Sequence, residues 1–444
     1  MRIRLILLLT AGAMVAVIGV SRPPSTAAAA PLPTLATISA GERHSLVLKS
    51  DGSLWTFGEN FSGQLGTAIN NGNENPNPAP RQVLTDVMAV AAGGFHSLAL
   101  KHDGTLWTFG DNSLGQLGRA SNSGTNNPNP VPTQVMSGVA AIAAGAFHSL
   151  VLKADGSLWT FGLNEDGELG NATNNGTVND NPTPTQVMSG VAAIAAGAFH
   201  SLALKGDGTL WTFGWNSSGQ LGTAVNSGTT TPNPTPTQVM TGVAAIAAGG
   251  GHSLAVKNDG SLWTFGDNRY GQLGTTTNNG IDVANYAPTQ VLTGVTKVAA
   301  GDEHSLALKS DGSLWTFGFN WDGELGTATN NATANPNPMP TQVMAGVTEV
   351  AAGGYHSLIV RNGEWLAIGF NWYGQLGTSL NNETENPNPV VTPLVLKDFV
   401  SVVPGRLLDS RGPGSATVDG LFQGIGVRGA GSVTELVVAG RGGV

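Results

Sequence analysis

Residues 236–266 read PTQVMTGVAAIAAGGGHSLAVKNDGSLWTFG. Four short runs alternate here with three turns. Pro236–Met240 reads as an alternating strand, Thr241–Gly242 as a turn, and Val243–Gly249 as a strand of very small side chains. Gly250–Gly251 turns again, His252–Lys257 is the third strand, Asn258–Asp259–Gly260 the third turn, and Ser261–Gly266 the fourth strand. Asp-Gly between two alternating runs is among the strongest local hairpin signals. A type I′ turn, with positive φ at both central residues, is the expected geometry.

The same text recurs along the chain. His44, His96, His148, His200, His252, His304 and His356 stand 52 residues apart, and each is followed by a serine. Asp-Gly recurs in register at Asp51–Gly52, Asp103–Gly104, Asp155–Gly156, Asp207–Gly208 and Asp311–Gly312, and becomes Asn362–Gly363 in the last copy. A period near 50 residues with four short antiparallel strands per copy predicts an all-β, seven-bladed β-propeller. The small residues of VAAIAAG suit an innermost strand, where blades crowd the axis. The tryptophans of the fourth strand (Trp55, Trp107, Trp159, Trp211, Trp263, Trp315) are expected to fill the wider gap between blades further out. The last copy departs, with Trp365–Leu366–Ala367–Ile368 in place of LWTF. The first copy has no PTQV run before it, and Thr392–Leu396 follows the seventh. Pairing of these N- and C-terminal strands is the expected means of closing the ring, because it would remove an exposed edge.

Composition agrees. Gly is 63 of 444 residues and charged residues are only 11%. That favours strands and tight turns over long solvent-facing helices, which need charge on their outer face. The net charge of −9 argues against nucleic acid as a partner. Cysteine is absent, which removes disulfides, thiol nucleophiles and cysteine zinc sites together.

The N-terminus reads as an export signal. Arg2 and Arg4 precede an apolar run from Leu5 to Val20, then Ser21–Arg22–Pro23–Pro24 and the Ala27–Ala30 cluster. A basic start, an apolar stretch and small residues describe a secretory leader, with cleavage near Ala29 or Ala30. The expected organisation is a leader over 1–30, the propeller over 34–402 and a partial β-rich segment over 403–444. The mature chain is then a secreted, bacterial, extracellular protein with no membrane span, acting as a monomer.

The segments Gly–x–Asn–x–x–Gly–Gln/Glu–Leu–Gly stand at Gly58–Gly66, Gly110–Gly118, Gly162–Gly170, Gly214–Gly222, Gly266–Gly274, Gly318–Gly326 and Gly369–Gly377. With AAGxxHSLAL and DGSLWTFG, the chain resembles the regulator-of-chromosome-condensation (RCC1) repeat family of seven-bladed propellers, from about Leu35 to Val402. That family includes an exchange factor for a nuclear GTPase, a plant ultraviolet photoreceptor and a secreted β-lactamase inhibitor, so fold alone leaves function open. The photoreceptor resemblance implies tryptophan two residues before each repeat histidine. Glu42, Gly94, Ala146, Ala198, Gly250, Asp302 and Gly354 stand there instead. The secreted inhibitor is nearest in expected compartment. Residues 404–411 (PGRLLDSR) and 436–444 (LVVAGRGGV) resemble the opening of a β-rich module appended to secreted actinobacterial proteins.

The histidine–serine pairs invite a metal or nucleophile reading. Seven equivalent residues around a ring cannot all approach one zinc to ~2.0–2.1 Å. A buried imidazole bonded to backbone and locking its turn is the expectation. No catalytic signature, metal site or cofactor motif is present. Carboxylates collect at Glu59, Asp111, Glu165, Asp166, Asp267 and Asp322. Read as paired acids they would suit a carbohydrate-active enzyme; as solvated turn residues they carry nothing.

Diversity between copies lies at the x positions of Gly–x–Asn–x–x–Gly. Eight of these 21 positions are aromatic in a chain that is 6% aromatic: Phe61, Trp215, Tyr270, Phe319, Trp321, Phe370, Trp372 and Tyr373. Turn loops ordinarily favour Gly, Asn, Asp and Ser, whereas aromatic clusters serve binding. The turn before each histidine also varies, and both variable turns are expected on one rim. The sequence therefore predicts a non-catalytic propeller that binds an extracellular protein or cell-envelope component through this aromatic rim. Inhibition of a β-lactamase or cell-wall enzyme is the narrower version; a carbohydrate-active enzyme and a guanine-nucleotide exchange factor-like regulator are the alternatives.

Overall fold

The computed structural model describes the backbone of Arg4–Thr10 and Ala13–Gly19, and residues 38–384 and 386–394. The tail module expected after residue 403 lies outside the described residues. Every described element is a strand, and among the described residues no helix is long and apolar enough to cross a membrane.

The strands form seven antiparallel sheets arranged as blades. Blade five, for example, runs outward from Val243–Ala248 through His252–Lys257 and Leu262–Gly266 to Asn285–Leu292. Successive innermost strands touch one another all the way round, including Val347–Ala352 of blade seven against Ile38–Ala40 of blade one. The small-residue strand is thus innermost, as its side chains predict. The N-terminal strands Arg4–Thr10 and Ala13–Gly19 pair as a hairpin, and the second lies along blade five's innermost strand with Ala245 opposite Val15.

The phase of the repeat and the closure differ from the sequence reading. PTQVM is the outermost strand of the blade before it, not the first strand of the blade after it. Thr237–Met240 pairs with Leu210–Gly214, and Thr392–Pro393 pairs with Leu366 and Ala367 of its own seventh blade. Among the described residues each blade is a continuous stretch of chain, and no composite blade joins strands from the two termini. A periodic sequence carries no mark of where one unit ends. Hydrogen-bonding between chain neighbours sets the cut instead.

The Asp-Gly turns also depart from expectation. Gly52, Gly104, Gly156, Gly208, Gly260 and Gly312 have positive φ, but the aspartates before them do not. Gly52 N–H donates to Lys49 O, Lys49 N–H to Ser53 O, and the Asp51 carboxylate accepts from Ser53 N–H. This is the longer hairpin loop with a single left-handed residue. Only Asn362 (φ 51°) and Gly363 (φ 82°) make the two-residue form. The shorter turn moves Trp365 to the position opposite Val360, which leucine holds elsewhere, and puts Leu366 where other blades have tryptophan.

Phenylalanine, rather than tryptophan, fills the gaps between blades. Phe57, Phe109, Phe161, Phe213, Phe265 and Phe317 are fully buried. Each packs on the last glycine of the neighbouring blade's Gly–x–Asn loop; a Cβ on Gly222 would stand 3.1 Å from Phe265. Ile368 takes this place against Gly326 in blade seven. Most of the tryptophans are only partly buried. Their indole N–H bonds the serine or threonine two residues earlier, and a lysine ammonium lies over the ring, as Lys257 does at 4.3 Å from Trp263.

Blades also meet through backbone. The middle glycine of each Gly–x–Asn loop touches the next connector: a Cβ on Gly271 (φ +87°) would fall 2.5 Å from Pro338 N. Both conformation and space exclude a side chain there. Gly271→Ala is expected to cost about 3 kcal/mol or more, read as a lower denaturant midpoint. A substitution cost below about 0.5 kcal/mol would contradict this packing.

Candidate functional site

Seven histidines and seven serines form one closed belt. His44 Nε2 meets Ser97 Oγ at 2.9 Å, His252 meets Ser305 at 2.8 Å, and His356 returns to Ser45 at 2.8 Å. Each of these seven histidines thus bonds the serine of the following blade and not its own sequence neighbour or the backbone. Each serine hydroxyl donates its one proton to a backbone carbonyl in the preceding blade's Gly–x–Asn loop, as Ser305 does to Gln272 O at 2.8 Å. The hydroxyl must therefore accept from imidazole, which fixes the neutral Nε2–H tautomer. Burial lowers the pKa of His44, His96, His148, His200, His304 and His356 to about 3 and that of His252 to about 4. The ring edge lies on the glycine of AAG: a Cβ on Gly249 would stand 2.4 Å from His252 Cε1. The belt is a joint between blades and is closed to solvent.

The Gly–x–Asn loops are built by their asparagine. Asn268 Oδ1 accepts from Leu273 N–H, while its Nδ2 donates to Thr275 O and Thr277 O. Gln272 Oε1 accepts from Tyr270 N–H. Glu168 and Glu324 take the glutamine's place in blades three and six, with one oxygen accepting from Asp166 N–H and Asp322 N–H. Their second oxygens are buried without a partner, and burial raises both carboxyls to about 8. Protonated at neutral pH, they imitate the amide they replace.

The two variable turns stand side by side on one face. A backbone bond ties them in every blade, such as Glu59 N–H to Arg43 O, Trp215 N–H to Phe199 O and Phe370 N–H to Tyr355 O. The connectors fold onto the same loops, with Gly72 N–H on Phe61 O and Ala332 N–H on Trp321 O.

None of the eight predicted rim aromatics is fully buried. Phe61 is 47% exposed and Trp321 42%, while Trp215, Tyr270, Phe319, Phe370, Trp372 and Tyr373 are half-buried. Several lean on neighbours. Tyr270 meets Phe319 at 4.6 Å, and Phe370 stands between Tyr355 and Tyr373, at 6.3 Å from each. Tyr373 OH accepts from Arg43 at 3.1 Å.

Several of the loop carboxylates are engaged within their own loops. Asp111 accepts from Ser113 and Gln116; Asp267 holds Arg269 at 3.2 Å. Glu59 is buried, 3.9 Å from Arg43, and raised to about 7 by that burial. Among the described residues Glu165 and Asp166, adjacent in blade three's loop, carry no such bond, and burial with Glu165 beside it raises Asp166 to about 6. The turn before each histidine, expected on this rim, carries a second set of acids and aromatics beyond the eight rim residues. Glu42, Asp302 and Glu303 lie in the turn before the histidine in blades one and six, and Phe95, Phe147 and Phe199 in blades two to four. Copy-to-copy substitution in that turn was the available signal.

The chain belongs to the RCC1-like propeller family: a family model described as the RCC1-like domain matches residues 16–242 and again 175–406. Among curated relatives, it is 28% identical over 350 residues to the ultraviolet-B receptor UVR8 of Arabidopsis thaliana, covering 77% of this chain and 78% of the receptor. It is 32% identical over 295 residues to the mitochondrial RCC1 domain-containing protein RUG3 of the same plant, covering 65% and 66%. Among solved structures, Prp20p of Saccharomyces cerevisiae, described with its binding properties to Gsp1p and histones, superposes with a TM-score of 0.67 at 23% identity, covering 78% of this chain and 87% of that one.

Proposed function

We propose that this chain is a non-catalytic, exported RCC1-type propeller that binds an extracellular protein or cell-envelope component through the aromatic face. The observation that carries the reading is the contrast between copies. The belt, the loop asparagines and the gap-filling phenylalanines repeat, while the residues left accessible on one face differ from blade to blade and are unusually aromatic. Partly exposed aromatics on a rigid ring lose little freedom on binding and supply large contact area. The leader-like residues 1–30 support export, and their removal would take the hairpin off blade five.

The narrower version, an inhibitor of a β-lactamase or cell-wall enzyme, uses the same face. The carbohydrate-active alternative would rest on Glu165 and Asp166, since Asp111 and Asp267 are committed to their own loops and Glu59 faces Arg43. An exchange-factor-like regulator draws on a likeness of fold to Prp20p and on no residue of this face. Finding the unprocessed chain in the cytosol would put that reading first.

Changing Trp321 and Trp372 together to Ala is expected to weaken capture of the partner from culture fluid by at least ~30-fold, since a single hot-spot aromatic is worth about 2 kcal/mol. Undiminished capture by a folded double variant would remove the rim from consideration.

A further inference from the structure

The central channel opens, on the face of the variable turns, into a cavity of about 360 Å³. Its wall has two unlike halves. Phe95, Phe147 and Phe199 form one, from blades two, three and four. Their rings follow one another at 5.8 and 6.2 Å, and Phe199 ends edge-on to Trp215 at 6.1 Å. Blade five contributes only glycine to the turn, Gly250–Gly251. The other half is acidic. Asp302 of blade six and Glu42 of blade one line the cavity with Gly354 between them. A Cβ on Gly354 would stand 3.0 Å from Glu42 Cγ and 3.2 Å from Asp302 Oδ2, so the missing side chain leaves both carboxyls facing one space.

The charge around this mouth is unbalanced. Glu42, Glu59, Asp302 and Glu303 gather there. Arg43 is committed to three neighbours: Glu42 at 3.7 Å, Glu59 at 3.9 Å and Tyr373 OH at 3.1 Å. Among the described residues, no hydrogen bond or ion pair reaches the Asp302 carboxylate. Burial, then Glu42 and Glu303, raise its pKa to about 7. An apolar wall facing uncompensated carboxyls fits a cation on a long aliphatic stem. The stem lies on the phenylalanines, and the charge meets carboxylate and ring faces together.

We infer that the channel mouth receives a lysine or arginine side chain from a loop of the protein bound at the rim, its stem on Phe95, Phe147 and Phe199 and its charge against Asp302 and Glu42. The inference rests on the rim reading and specifies its chemistry. A protein source is favoured over a free cation because the cavity opens among exposed aromatics on the same face, which would hold the surface flanking the inserted side chain.

The probe is a cyclic peptide presenting one arginine at its tip, compared with lysine and citrulline twins by titration calorimetry against the purified protein. The arginine and lysine peptides are expected to bind, and citrulline to bind at least tenfold more weakly. The double change Glu42→Gln, Asp302→Asn is expected to abolish that preference, and Phe147→Ala to weaken all three. Binding near pH 7 should release protons as Asp302, faced by Glu42, Arg43, Glu303 and Tyr355, ionises against the bound charge; the heat would then depend on the buffer's ionisation enthalpy. Citrulline binding equally well, no arginine binding, or free arginine amide binding as tightly as the peptide would each overturn the inference. If Trp321→Ala, Trp372→Ala loses the natural partner while Glu42→Gln, Asp302→Asn keeps it, the rim stands and the channel inference falls. Loss in the channel variant alone would instead place recognition at the mouth and remove the rim.

Discussion

His252→Ala lowers the folding free energy by about 4 kcal/mol, the sum expected for a buried hydrogen bond left half-made and a cavity between blades. Ser305→Ala costs about 2–3 kcal/mol, because it orphans both the imidazole N–H and the Gln272 carbonyl. His102, exposed outside the register, should cost no more than about 0.5 kcal/mol on the same change. The sharper measurement is a double-mutant cycle in denaturant. His252 should couple to Ser305, its partner 53 residues on, by about 1 kcal/mol or more, and far less to Ser253, its neighbour in sequence, whose partner is His200. Coupling to Ser253 in place of Ser305 would mean that the belt is not the joint described.

The second large effect is on pH. The seven belt histidines have folded pKa values of about 3 to 4 against an unfolded value of 6.5. Below 6.5 the unfolded chain takes up protons that the folded ring refuses, so their contribution is whole above that value and is lost as pH falls. Each pH unit costs about 1.4 kcal/mol per histidine. The raised carboxyls act in the opposite sense. Glu168 and Glu324 at about 8, Glu59, Asp302 and Glu303 at about 7, and Asp166 at about 6, stabilise the fold below the unfolded carboxylate range and lose that contribution as pH rises through those values. Between about 4.5 and 6.5 the two sets offset each other. Below about 4.5 these raised carboxyls become protonated in both states, and the histidine loss is joined by a smaller one from Asp51, Asp103, Asp155, Asp207, Asp259 and Asp311, whose carboxyls are held below their ordinary value by the hydroxyl of the serine or threonine two residues on. A plateau with a steep acid edge is expected, its slope approaching seven protons per molecule, together with a gentler decline above 6.5. Glu168→Gln, Glu324→Gln should flatten that decline and leave the acid edge in place. An acid transition taking up only one or two protons would contradict a belt held neutral by burial.

The architecture was legible because period, turn dipeptides and small inner residues all repeat in the chain itself. What escaped was relational. The serine beside His252 in sequence is not its partner, and no local feature says that the bond runs to Ser305. PTQVM could be assigned to either blade beside it until strand pairing was known. Trp263 is larger than Phe265 and looks the better wedge, yet Phe265 has no polar atom to satisfy, while the indole N–H needs Ser261 and so keeps the tryptophan near the rim of the sheet. The aromatic rim was readable from substitution between copies. The acids of the channel mouth were not, since Glu42 and Asp302 lie 260 residues apart and meet only once the ring has closed over Gly354.

Blades one and seven share no peptide link, yet Ser45 and His356 meet there as the other serines and histidines do, and Asn77 N–H reaches Tyr373 O just as Asn129 N–H reaches Ser62 O. The covalent crossings between blades therefore add proximity without adding a different kind of bond. Mechanically the molecule is a hoop of equal clasps: load placed on any blade passes both ways round, and the seam carries its share like every other junction.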